Sequence, residues 1–185
     1  PLKKEKYILY QGAVNEGRCF ESLIPAMKEI DARLVIAGDG NFMSQARELV
    51  KKYNLEDKVS FPGKFSPDEL FEYTRNAWIG ITLFENKGLS NYFSLANRFF
   101  DYINAGIPQL CSDFPVYREL NKNTRIAVLI SEITVQNIIQ NINSLLENEP
   151  LYLELQQNCL EARKQFNWQN EEKKLLSFYN HLLKN

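Results

Sequence analysis

Histidine and cysteine are scarce: His181 is the only imidazole, and Cys19, Cys111 and Cys159 are the only thiols in 185 residues. One histidine far along the chain argues against a catalytic triad, a histidine-based zinc site and histidine general-base chemistry. Three cysteines, odd in number, far apart and in apolar contexts, form neither a disulfide framework nor a metal cluster. They are expected as buried thiols of a cytoplasmic protein. Charge of one sign is missing too. The 22 basic and 23 acidic residues leave a net charge of −1, with no electrostatic footprint for nucleic acid or an anionic membrane. No apolar run approaches the roughly 18–20 residues that span a bilayer, and the front of the sequence shows no signal-peptide pattern. With 8 Gly and 7 Pro the composition is neither collagen-like nor disordered.

What is present is an alternation of strand-like and helix-like runs. Tyr7–Tyr10, Leu34–Ala37, Val59–Phe61, Ala77–Phe84, Pro108–Ser112 and Ile126–Ile130 read as about six strands. Between them, apolar residues recur at helical spacing, as in Phe20, Leu23, Ile24, Met27 and Ile30. Ser66-Pro67-Asp68-Glu69 is a helix start, with a capping serine, a first-turn proline and acids at the positive dipole end. Beyond Glu132 only helical patterns remain. Several strands are continuous apolar runs, as burial on both faces requires. The expectation is a single α/β domain over residues 1–185: a Rossmann-like, doubly wound parallel sheet with C-terminal helices. The sequence opens on Pro1 instead of Met, so a piece cut from a longer protein is expected.

Open α/β sheets bind ligands beyond the carboxyl ends of their strands. Those ends carry Gly12, the Gly38-Asp39-Gly40 turn, Pro62-Gly63, Glu85 and Ser112-Asp113. Any one of these glycines has an ordinary role as a turn residue; their collection on one rim points to a ligand. The polar loop Glu85–Tyr92 with Asn91, continuing through Ser94, leads directly into a helix whose first turns hold Arg98. A helix N-terminus disfavours a cation by roughly 0.3–1 kcal/mol. A bound phosphate there removes that cost and uses the guanidinium fork. The alternative is an i, i+3 ion pair between Arg98 and Asp101. Arg18, at the start of the first helical run, is placed in the same way, with Glu21 as its alternative partner. Lys3-Lys4-Glu5-Lys6 reads as a solvated tail. Phe99-Phe100 and Trp78 read as core, and Trp168 as an anchor of the last helix. There is no Gly-x-Gly-x-x-Gly after the first strand and no Walker-type lysine loop.

The series Tyr10-Gln11-Gly12, Glu16-Gly17-Arg18, Leu34–Gly40, Val59–Gly63, Ser94–Tyr102, Ala105–Pro108 and Asn167-Trp168 resembles the C-terminal, donor-binding half of a GT-B glycosyltransferase of the retaining group 1 or family 4 class. The resemblance runs from about Ile8 to Leu183. It implies that a nucleotide-diphosphate sugar (UDP-, GDP- or ADP-linked) is the donor substrate. It also implies a separate N-terminal acceptor domain, no metal or other cofactor, no nucleic-acid partner, and membrane contact only through the missing half. It implies a cytoplasmic protein, at the inner membrane face if the parent works on lipid-linked sugars. By the same resemblance, Arg18 and the stretch Ser94-Leu95-Ala96-Asn97-Arg98 hold the diphosphate and Asp101 the ribose. Phe61, Gly63 and Lys64 read the base by their backbone, and Gly38, Asp39 and Gly40 lie beside the nucleotide. Three positions depart from the class: Ala13 replaces a second phosphate arginine, Phe93 replaces the first of two paired acids, and Asp101 is one methylene shorter than the usual glutamate. Glu85 is expected to take over the sugar contact. A nucleotide-sugar epimerase and a non-catalytic or regulatory nucleotide-sugar-binding module are the rival readings.

Overall fold

The computed structural model describes residues 6–183. Of the expected solvated tail, Lys3, Lys4 and Glu5 lie outside the described residues, and Lys6 departs from that reading. Its Nζ donates to the Leu146 carbonyl at 3.2 Å and sits 4.3 Å from the Trp78 ring centroid.

Among the described residues there are six strands, all paired in parallel. They are β1 (Tyr7–Gln11), β2 (Arg33–Ala37), β3 (Val59–Gly63), β4 (Ile79–Thr82), β5 (Gln109–Ser112) and β6 (Val128–Ile130). Their spatial order is β3-β2-β1-β4-β5-β6. β1, β4 and β5 lie inside the sheet and are buried along almost their whole length, which suits the apolar Ile8–Tyr10 and Ile79–Ile81, while the polar Gln11, Thr82, Gln109 and Ser112 are buried with them. β3 is an edge strand, so Pro62 fits inside it without removing a needed ladder bond.

The helices cover both faces. α1 (Phe20–Ala26), α2 (Met43–Lys52) and α7 (Val135–Glu147) pack on one side over a core that includes Tyr10, Phe20, Leu23, Ile24 and Ile142. α3 (Pro67–Asn76), α5 (Asn97–Ala105), α6 (Pro115–Asn121) and α8 (Glu149–Ala162) supply the other side, around Phe84, Phe99, Tyr102 and Tyr117. A four-residue helix, α4 (Leu89–Tyr92), interrupts the loop after β4. The Ser66 capping box forms as expected: its hydroxyl accepts from Glu69 N–H while the Glu69 carboxylate accepts from Ser66 N–H.

The structure corrects some boundaries. The apolar run Ala77–Phe84 contains a ladder of only four residues, Ile79–Thr82. Leu83 and Phe84 stay buried beyond it, so apolarity there records burial, not pairing. α1 ends at Ala26, one residue past Pro25, while Met27 and Ile30 remain in the core as loop residues. The last helix, α9 (Trp168–Leu182), has no buried residue, and Trp168 is 63% exposed. Trp168 therefore does not anchor it; the helix start is fixed by Asn167, whose side chain accepts from Asn170 N–H. Phe99 and Trp78 are core-packed as expected, Trp78 stacking on Tyr152 with centroids 4.3 Å apart. All three cysteines are buried and unbridged; burial pushes the Cys19 and Cys159 thiols up to about 12.

The rim beyond β1 and β2 is laced by backbone. Gly12 N–H donates to Ala37 O, Val14 N–H to Asp39 O, and Gly38 N–H to Gly63 O. Gly38 has φ +146°, and a Cβ there would stand 1.9 Å from the Gly12 carbonyl oxygen. Gly63 has φ +90° with open space around it. Gly38→Ala is therefore expected to lose on the order of 3 kcal/mol in urea unfolding, against about 1–2 kcal/mol for Gly63→Ala, which carries backbone strain alone. Equal losses would show that the close approach at Gly38 is not what holds the two loops together.

Candidate functional site

In the order 3-2-1-4-5-6 the chain leaves β1 toward one edge and returns at β4 toward the other. The crevice between the carboxyl ends of β1 and β4 is the switch point where such sheets bind ligands. Gln11 and Gly12 end β1, and Leu83, Phe84 and Glu85 follow β4.

Arg98, the second residue of α5, reaches into this crevice and is 8% exposed. Its guanidinium carbon lies 4.6 Å from the Tyr10 ring centroid and 4.7 Å from that of Phe84. Nη1 donates to the Gln11 carbonyl at 3.3 Å and, at 3.4 Å, to the Tyr10 hydroxyl. Nε and Nη2 are buried without a hydrogen-bond partner. The ion pair considered between Arg98 and Asp101 does not form: Asp101 Oδ2 accepts instead from Gln11 Nε2 at 2.9 Å. A buried guanidinium with no carboxylate and two idle donors is costly on its own. Aromatic faces offset part of that cost.

Arg18 converges on the same place. Its guanidinium carbon is 4.5 Å from the Phe84 centroid, and Nη1 donates to Asn91 Oδ1 at 3.1 Å. It stands two residues before α1 and outside its first turn, and α1 has seven residues. The idea of two helix starts holding two cations thus gives way to one ring, Phe84, carrying both guanidinium groups. Phe84 is fixed by Ser112, whose hydroxyl accepts from Phe84 N–H at 2.8 Å and donates to Phe84 O at 3.1 Å.

α5 begins without a side-chain cap. The N–H of Ala96 donates to the Tyr117 hydroxyl and that of Ser94 to the Asn91 carbonyl. The N–H groups of Asn97 and Arg98 have no carbonyl four residues back inside the helix. Asn97 and Leu95 are exposed at this turn. One turn on, Asp101 stands on the exposed side of α5, yet the groups packed around its carboxyl desolvate it and raise its pKa, against a lowering by the Gln11 amide.

Glu85 lies across the crevice. Its N–H donates to Gly17 O, and its carboxylate pairs with Lys87 at 2.7 Å. A cleft of about 320 Å³ opens beside it, bounded also by Phe42 and Asn91. Phe93 is 58% exposed and brings no acid to this region. Gly38 adjoins Gly12, Asp39 O accepts from Val14 N–H, Gly40 lies against Val14 and Asn15, and Lys64 pairs with Asp39 at 3.6 Å. The Phe61 side chain points away from that group, packing on the core with Arg47 4.7 Å from its centroid. Among the described residues no cluster of three or more His, Cys, Asp or Glu could hold a metal, and no helix is long and apolar enough to cross a membrane.

Sequence reasoning gave no role to Tyr10 and Gln11, which it held only as motif residues, or to Phe84 and Thr74. Aromatic residues at the ends of two adjacent strands were the available signal for Tyr10 and Phe84. Because burying the Arg98 guanidinium without a counter-charge is costly, Arg98→Met is expected to unfold at a urea midpoint equal to or above wild type while losing stabilisation by pyrophosphate. A loss of more than about 1 kcal/mol would show the guanidinium to be a structural strut.

Comparison with known proteins adds the family. The family model described as Glycosyl transferases group 1 matches residues 1–166. The alpha-monoglucosyldiacylglycerol synthase of Streptococcus pneumoniae is 29% identical over 100 residues, covering 50% of this chain and 23% of that protein. A glycosyltransferase from Rickettsia africae superposes with a TM-score of 0.82 at 16% identity, over 100% of this chain and 49% of its own. Sucrose-phosphate synthase from Thermosynechococcus elongatus gives 0.81 at 21% identity, over 97% and 46%. HepE of Anabaena, solved with UDP, gives 0.81 at 13% identity, over 96% and 49%. The chain spans about half the length of these solved structures and the match spans about a quarter of the curated relative. Six parallel strands in a doubly wound order, and a family match over most of the sequence, place the chain in the group 1 glycosyltransferases, with their Rossmann-like GT-B fold.

Proposed function

We propose that this chain is the donor-binding half of a retaining glycosyltransferase, which transfers a sugar from a nucleotide-diphosphate sugar to a glycan or lipid-linked acceptor. The observation that carries the reading is the Arg98 guanidinium, buried at the switch point with Nε and Nη2 unanswered. A diphosphate suits those two donors, because a planar fork donates to two phosphate oxygens and the anion supplies a counter-charge. Family membership narrows the diphosphate to that of a sugar nucleotide. Anabaena HepE, solved with UDP and with UDP-glucose, supports this, and the streptococcal relative's name supports a lipid acceptor.

In this reading the diphosphate rests on the first turn of α5 between Arg98 and Arg18. The ribose meets Asp101, the base runs along the Gly63-Lys64 backbone beside Gly38–Gly40, and the sugar extends toward Glu85. When the bond to the sugar breaks, negative charge grows on the departing phosphate oxygen. Guanidinium groups and α5 N–H donors fixed in advance oppose that charge without reorganisation. The scheme needs no metal. Further chain carries the acceptor, and the exposed Leu175, Leu176, Phe178 and Leu182 of α9 give it an apolar surface to cover. A cytoplasmic location, at the inner membrane face if the acceptor is lipid-linked, is consistent with use of a nucleotide donor.

The exposed Phe93, standing where the class has an acid, favours one second reading, a nucleotide-sugar-binding module without catalysis. Transfer assays on the full-length protein separate the two. Arg98→Ala is expected to lower the transfer rate about 10²–10³-fold, and Glu85→Gln to weaken both rate and donor affinity. Absence of any transfer or donor hydrolysis in wild type, with donor still bound, would favour the module. A rate for Arg98→Ala within a few fold of wild type would sink the assignment.

A further inference from the structure

Gln11 is the last residue of β1, is 3% exposed, and is polar in an otherwise apolar strand. A buried amide there needs partners, and it has them on both sides. Its Nε2 donates to Asp101 Oδ2 at 2.9 Å, and its Oε1 accepts from the Thr74 hydroxyl at 2.7 Å. The direction follows from chemistry: an ionised carboxylate only accepts, so the amide nitrogen must face it and the amide oxygen must turn to the hydroxyl. Thr74 is itself buried in α3, and its single hydroxyl proton is shared between Gln11 Oε1 and Leu70 O, 2.8 Å away, which keeps the hydroxyl between the two. The Gln11 carbonyl, meanwhile, accepts from Arg98 Nη1. One residue thus touches both polar groups of α5 that face the crevice, one turn apart.

We propose that Gln11 is a positioning residue for donor recognition: its side-chain amide, oriented by Thr74, holds the short Asp101 carboxylate at a fixed place beside Arg98, so that ribose and diphosphate are read in one register. The inference rests on the reading of Asp101 as the ribose contact. An aspartate one methylene shorter than glutamate has less reach, so where its carboxylate is held matters more. The amide removes its rotational freedom before the ligand arrives, and pre-ordering of this kind improves affinity with no added contact to the ligand. Gln11 itself need not touch the donor.

The test uses the full-length protein and three probes: whichever of UDP, GDP and ADP binds most tightly, the 2′,3′-dideoxy form of that nucleotide, and inorganic pyrophosphate. Wild type is expected to prefer the ribonucleotide over its dideoxy form. Gln11→Met keeps the length and packing of the side chain and removes the amide; it is expected to cut that preference about tenfold. Pyrophosphate affinity should stay within twofold. Thr74→Val, which removes only the orienting hydroxyl, should move the preference in the same direction and serves if Gln11→Met does not fold. In an Asp101→Ala background neither substitution should change the preference further, whereas a general structural role would weaken all three probes in both backgrounds. Full preference in both variants overturns the role of Gln11 while leaving the donor site standing. A wild type that binds ribo and dideoxy forms equally removes the ribose reading of Asp101 and the inference with it.

Discussion

A cation buried without a counter-charge is among the least favourable things a fold can contain, and this one is arranged around such a group. Arg98, in the first turn of α5, lies within 4.7 Å of the ring centroids of both Tyr10 and Phe84. Its one occupied terminal nitrogen bonds to β1 through the Gln11 carbonyl and to the Tyr10 hydroxyl. The opposite edge of the guanidinium has no protein group to answer it. Electrostatic preorganisation consists in this: the cost of holding the charge is met during folding, and the anion collects the benefit.

The rest of the sheet makes that placement affordable. The two strands that flank the crevice diverge in sequence, so their carboxyl ends leave room for a ligand between them. Ser112, from the neighbouring β5, fixes Phe84 with reciprocal hydrogen bonds, and Phe84 in turn carries both Arg98 and Arg18. On the other side, Gly38 allows the β2 loop to close on Gly12, which itself passes over Arg98 Nη1. Rigid backbone thus surrounds the cation, while the Arg18–Asn91 bond lies in a half-exposed loop better suited to adjust around a ligand.

The sheet was legible where strands buried on both faces are apolar runs, as in Ile8–Tyr10 and Ile79–Ile81; β5, which begins at Gln109 and ends at Ser112, is buried without that signature. Strand ends were less so: Leu83 and Phe84 are as apolar as the ladder they follow but pair with nothing in it. Arg98 was legible as an anomaly of charge at a helix start; that it is buried and stacked was not, since Tyr10 and Phe84 lie far from it in sequence. Gln11, read only as part of a motif, became informative once the fold brought Thr74 and Asp101 to either side of it. The Lys64–Asp39 pair joins two loops and the Glu85–Lys87 pair lies within one, and no periodicity encodes either.

The central claim concerns one pair of nitrogens, and a structure of the protein with a bound nucleoside diphosphate addresses it directly. The prediction is that phosphate oxygens lie about 2.7–3.0 Å from Arg98 Nε and Nη2, with the ring of Phe84 unmoved and Arg18 released from Asn91 to face the same anion. A diphosphate bound elsewhere on the rim, with those two nitrogens still unpaired, would contradict it.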